Sequence, residues 1–115
     1  QLLVTAPNSS YYEINNQYSG QNPTVYAISG LTIAFELNCD GHPFVIETSG
    51  GTAYNTGLIH VADNGTKTTG ASAQGKTQGM LYWQIPVKVT GNYAYQCSFH
   101  SAMRGTITIK NLATL

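Results

Sequence analysis

Residues Leu31 to Asn38 read Leu-Thr-Ile-Ala-Phe-Glu-Leu-Asn, with a large apolar side chain at every odd position and Thr32, Ala34, Glu36 and Asn38 between them. A period of two places the apolar set on one face of an extended chain, so the segment predicts a half-buried strand crossing a core. The same spacing links Leu3 with Thr5, Tyr12 with Ile14, Val25 with Ala27 and Phe44 with Ile46. Further runs cover Leu58 to Val61, Met80 to Ile85, Tyr93 to Ser98 and Thr106 to Lys110, set apart by Gly, Asn, Asp and Pro. About eight short strands with such punctuation, and no convincing helix, predict an all-β fold. Two antiparallel sheets packed face to face with Greek-key connections, a β-sandwich, accommodate them. The 115 residues are one domain's worth, so residues 1–115 are expected to form a single domain. The stretch from Ser49 to Gly79, rich in Gly, Thr and Asn, is expected to be mostly surface hairpin and loop.

Charge excludes some function classes. Lys plus Arg number five, as do Asp plus Glu, and charged residues make up 9% of the chain, against about 25% in an ordinary soluble domain. No large field surrounds such a chain, and nucleic acid is not an expected partner. The longest apolar candidate, Leu31 to Leu37, is interrupted by Thr32 and Glu36 and is far shorter than a membrane span. The absence of an initiator Met before Gln1 reads as a processed or trimmed start, consistent with export to a periplasm, lumen or the extracellular space.

Chemistry concentrates in Cys97-Ser-Phe-His-Ser-Ala-Met103, where a thiol, an imidazole and a thioether stand three residues apart just after a predicted strand. A second imidazole, His42, follows the strongest strand in Asn38-Cys-Asp-Gly-His-Pro-Phe44. Two imidazoles, one thiolate and a weak thioether suit copper in both oxidation states, whereas zinc rarely recruits Met. A sandwich can bring two such loops to one pole. Other readings stay open here. Cys97 and Cys39 can form a disulfide worth roughly 2–4 kcal/mol; Met103 can be a packing residue; and His42 can be an ordinary turn histidine. The remaining histidine, His60, reads as a strand-surface or loop side chain.

Over essentially its whole length the sequence resembles the cupredoxins, the small blue-copper proteins. The resemblance rests on Cys97-x-x-His100-x-x-Met103, on Tyr95 before that loop, and on Arg104-Gly105 running into Thr106-Ile-Thr-Ile109. It implies one mononuclear type 1 copper, with His42, Cys97 and His100 equatorial and Met103 axial. It also implies a one-electron carrier that performs no bond chemistry and is not an enzyme, meeting a redox protein partner near His100; the chain is expected to be a monomer. Gln96 and Ser98 flank Cys97, so the histidines that relay electrons in multicopper oxidases are missing. Pro43 follows His42 where familiar members commonly carry Asn. A backbone N–H that could donate to the ligand sulfur is thereby lost, which predicts a lower potential. The same signature is similar to cupredoxin-like domains of phage and bacterial surface proteins, which implies a second reading: a structural or adhesive module of a virion or surface assembly. Copper delivery is a third reading, disfavoured by closed ligation.

Overall fold

The computed structural model describes residues 1–15 and 18–114, and ten strands occur among them. They are β1 (Leu2–Thr5), β2 (Glu13–Asn15), β3 (Val25–Ile28), β4 (Thr32–Asn38), β5 (Phe44–Thr48), β6 (Leu58–Val61), β7 (Lys67–Thr69), β8 (Gln78–Gln84), β9 (Gly91–Cys97) and β10 (Arg104–Lys110). One sheet runs β2-β1-β4-β8-β6-β7 and the other β3-β10-β9-β5. Their facing sides form one buried cluster in which Phe35, Leu81, Trp83 and Leu58 of the first sheet meet Phe44, Ile46, Tyr95 and Ile107 of the second. Each such side chain contributes about 1.5–3 kcal/mol relative to an exposed one. The sandwich read from the alternation is therefore present.

Its sheets are mixed where antiparallel ones are expected, because β1 runs parallel to β4 and β3 parallel to β10. The first of these pairings also resets the register of β1. Leu2 lies opposite Phe35 and Val4 opposite Leu37, so Leu2 and Val4 face inward, and Leu3 and Thr5 do not. A run of three apolar residues, Leu2-Leu3-Val4, carries no alternation to decide between the two faces. At the start of β4 the inward stripe thins: Phe35 and Leu37 are buried, whereas Leu31 lies in the turn before the strand and is 55% exposed.

The segment 49–79 is more than decoration. β6 lies inside the larger sheet, paired with β8 on one side and β7 on the other, and Leu58, His60 and Ala73 are buried. His60 is accordingly an inward strand residue with its Nε2 2.6 Å from the Gln78 carbonyl, a correction to its reading as a surface or loop side chain. The free edge of β5 is covered as well. The Gln74 side-chain amide accepts from Ile46 N–H at 2.9 Å and donates to Ile46 C=O at 2.8 Å, standing in for a neighbouring strand.

Registers in the smaller sheet determine where the chemistry collects. Phe44, the first residue of β5, lies opposite Cys97, the last of β9, and Arg104, the first of β10, lies opposite Gln96. The turn before β5 and the loop between β9 and β10 thus share one pole. Gly105 keeps that corner flat, because a Cβ there would lie 2.1 Å from the Tyr95 ring crossing over it.

Candidate metal centre

His42 is delivered by a tight turn at the end of β4. The His42 N–H donates to the Cys39 carbonyl at 2.9 Å, and Gly41 takes a φ of +83°, which a residue without Cβ adopts at little cost. Pro43 then fixes the exit into β5. From across the core, the buried Tyr12 hydroxyl donates to the His42 carbonyl at 2.7 Å. Burial first, then the nearby Cys97 and Cys39 sulfurs, push the ionisation of Tyr12 well above the usual phenol range, so the hydroxyl keeps its proton and remains a donor.

Cys97 closes β9 with its side chain on the inward face, in step with Tyr95. The loop after it folds back on itself. Met103 N–H donates to the His100 carbonyl at 3.1 Å, Cys97 N–H to the Met103 carbonyl at 3.0 Å, and Ser98 N–H to the Pro43 carbonyl at 3.1 Å, joining the two loops. The Phe99 N–H turns toward the Cys97 sulfur, with N to Sγ at 3.4 Å.

At this pole the Cys97 Sγ lies 3.5 Å from His100 Nδ1 and 3.9 Å from His42 Nδ1, and the sulfur and one ring nitrogen from each imidazole fall within 4.8 Å of one another. The imidazole rings stand 5.0 Å apart. A metal ion bonded at about 2.0–2.3 Å to nitrogen and sulfur separates its donors by about 3.4–3.8 Å. The two sulfur–nitrogen separations lie at or just beyond that span, so the group could hold a single ion, and its mix of one soft sulfur and two imidazoles suits copper chemistry. Among the described residues this is the one such group of His, Cys, Asp or Glu.

His42, Cys97 and His100 are thus gathered as their sequence pattern suggests. Met103, at the end of the same loop, is fully buried and belongs to the core cluster. Cys39 does not bridge to Cys97; both are free and buried. Its Sγ lies 3.7 Å from the Thr77 carbonyl, and burial, with Cys97 and Asp40 nearby, pushes its pKa up to about 12, which keeps it a thiol at neutral pH. Of the aromatic neighbours, Phe44 is core and Phe99 is 69% exposed beside His100.

Two contributors were invisible in the sequence. Tyr12 holds the His42 turn although thirty residues separate the two. Gln96, whose position one residue before Cys97 turns it to the opposite face of β9, places its amide nitrogen within 3.0–3.3 Å of the Cys97, His100, Ser101 and Met103 carbonyls. Hydrogen bonds to main-chain carbonyls leave no residue pattern, so only the period-two position of Gln96 hinted at its separate role.

No protein-family model matches the chain, and no curated protein matches it. Solved structures do. The copper protein rusticyanin superposes with a TM-score of 0.53 at 21% identity, covering 95% of this chain and 76% of that one. An oxidized amicyanin mutant aligns with a TM-score of 0.47 at 18% identity, and a reduced one with 0.46 at 17%, each covering 95% of this chain and 81% of the other. At these identities the likeness speaks to fold. By the arrangement of its two sheets and its likeness to rusticyanin, the chain is a cupredoxin in fold.

Proposed function

We propose that this chain is a mononuclear type 1 copper protein that carries single electrons between redox partners, with His42, Cys97 and His100 as equatorial ligands and Met103 as the axial one. The observation that carries the reading is the convergence of one nitrogen from each of two imidazoles and one Sγ within 4.8 Å at the pole of a cupredoxin fold. Copper held there would supply one-electron exchange between Cu(II) and Cu(I). The chain's own part is to keep the donors still. Cys97 is anchored through its N–H to Met103, His42 through its N–H to Cys39, and the two loops through Ser98 N–H to Pro43. A frame that moves little as charge changes lowers the reorganisation that accompanies electron transfer.

His100 is half-buried and its neighbours Phe99 and Ala102 are exposed, which supports contact with a redox partner at this end. No charged side chain lies between His100 and Met103, so that contact would be apolar in character and weakly dependent on salt. The domain works as a monomer in this reading, in an exported setting, without bond-making catalysis. No helix among the described residues is long and apolar enough to cross a membrane. Potentiometric titration of the copper-loaded protein, followed by its visible absorption, tests the proposal. A reversible one-electron curve that bleaches and restores the band is expected. Irreversible loss of the band, or none to follow, refutes it.

A further inference from the structure

The Gln96 carboxamide is oriented without ambiguity, although its two ends have nearly the same shape. Arg104 Nη1 donates to Gln96 Oε1 at 3.0 Å, so the oxygen must face the guanidinium and the NH2 must face the loop. Arg104 is itself fixed by an ion pair with Glu47 at 2.5 Å and by donation from Nη2 to the Thr48 and Ser49 carbonyls at 3.2 and 3.1 Å. All of these groups lie on the outer side of the smaller sheet, across the strand from the Cys97 sulfur, with Arg104 and Val45 the cross-strand partners of Gln96.

On the loop side, four main-chain carbonyls point at one nitrogen: Cys97 and His100 at 3.0 Å, Met103 at 3.1 Å and Ser101 at 3.3 Å. Carbonyl oxygens brought this close repel one another unless a donor sits among them. An NH2 group with two hydrogens, shared among four acceptors, is such a donor. Three of the four carbonyls belong to the residues that supply Cys97 Sγ, His100 Nδ1 and the Met103 thioether. The loop's main chain is therefore curled around a side chain, and the side chain is braced from behind by Arg104 and Glu47.

We infer that Gln96 is the positioning residue of the metal loop: its amide donor, oriented by the Glu47–Arg104 pair, holds residues 97–103 in ligating shape before any metal arrives. The role is exerted on the chain alone, and only the spectroscopic arm of its test rests on the copper reading. Gln96 touches no ligand atom and acts through the carbonyls.

Amide hydrogen exchange of the metal-free protein decides it, read at Met103 N–H and Cys97 N–H, which close the loop. Gln96→Met keeps the length and removes the donor; Gln96→Glu keeps the shape and points an acceptor at the four carbonyls. Both are expected to speed loop exchange, Gln96→Met by about tenfold, the scale of one net hydrogen bond, and Gln96→Glu by more. Glu47→Gln, which reaches the loop carbonyls only through Arg104 and Gln96, is expected to act in the same direction more weakly, and it decides the matter should the Gln96 variants not fold. Asn92→Ala, which removes a hydrogen bond to Thr108 near the far end of β9, is expected to leave loop exchange unchanged. Unchanged loop exchange in all Gln96 and Glu47 variants, an effect of Met equal to or larger than that of Glu, or equal acceleration by Asn92→Ala overturns the inference. In the copper-loaded protein Gln96→Met should also move the visible band and the potential, which Asn92→Ala should not. A parent without a band would refute the copper reading while the exchange data still judge Gln96.

Discussion

The chain contains two Cys-x-x-His units, Cys39 to His42 and Cys97 to His100, side by side at one pole, and both cysteines are 2% exposed. Each continues the inward face of its strand, Cys39 after Leu37 and Cys97 after Tyr95. What surrounds the two sulfurs differs. In the first unit, Asp40 and Gly41 make a turn whose hydrogen bond runs from His42 N–H to Cys39 C=O, and the Cys39 sulfur is left with the Thr77 carbonyl, an acceptor that suits a protonated thiol. In the second unit, Phe99 N–H points to the sulfur, and two imidazoles stand within 3.9 Å of it. The two sulfurs are equally buried, so what sets Cys97 apart as the candidate ligand is the donor and the imidazoles that face it.

The sharpest way to break this contrast is to remove each sulfur in turn. Cys97→Ala should abolish stoichiometric copper binding and the thiolate-to-copper absorption, while Cys39→Ala should retain both, as read by anaerobic copper titration with optical detection. Copper binding lost in the Cys39 variant and kept in the Cys97 variant would invert the assignment. Next in size is Met103→Leu, a substitution of similar volume in the core. If Met103 is the axial ligand, its loss leaves a lower coordination number, which suits Cu(I) better than Cu(II), and should raise the potential by about 60 mV, the equivalent of a tenfold change in relative affinity for the two oxidation states. Equal potentials would make Met103 a packing residue only.

A smaller shift is expected from Pro43→Asn. The sulfur already accepts from Phe99 N–H, and restoring a second N–H at position 43 should draw further electron density from it and raise the potential. An unchanged or lower potential in redox titration would remove Pro43 from the account. The smallest effect, absent at neutral pH, concerns Cys39. Its folded pKa is raised from 9.0 to about 12, so the folded state keeps a proton that the unfolded chain releases. The resulting stability is complete below about pH 9 and is lost as pH climbs through about 12. Denaturant unfolding followed from pH 8 to 12 should show a shallower decline for Cys39→Val than for the parent; equal slopes would show that the Cys39 thiol does not contribute.

The sandwich was legible because Leu31 to Asn38 and its shorter relatives alternate cleanly, and because Gly and Pro separate them. The candidate metal loop was legible because Cys97, His100 and Met103 are neighbours in sequence. The meeting of Cys97 and His100 with His42 depends on the register of Phe44 against Cys97, a non-local pairing that composition does not encode. Three apolar residues in a row hid the facing of β1, and the parallel pairing with β4 settled it. His60 was misplaced because a polar residue in a strand suggests a solvent face, yet here a carbonyl 2.6 Å away satisfies it inside. Tyr12 and Gln96, which shape the two arms of the site, act on main-chain carbonyls and have no signature in residue order.

X-ray absorption at the copper edge of the loaded protein examines the central claim at the atoms concerned. The account predicts one short sulfur and two imidazole nitrogens around copper, the Met103 thioether lying further out, with the short sulfur contribution lost in Cys97→Ala. A copper environment of nitrogen and oxygen alone, or two short thiolate sulfurs of which one is lost in Cys39→Ala, would contradict it.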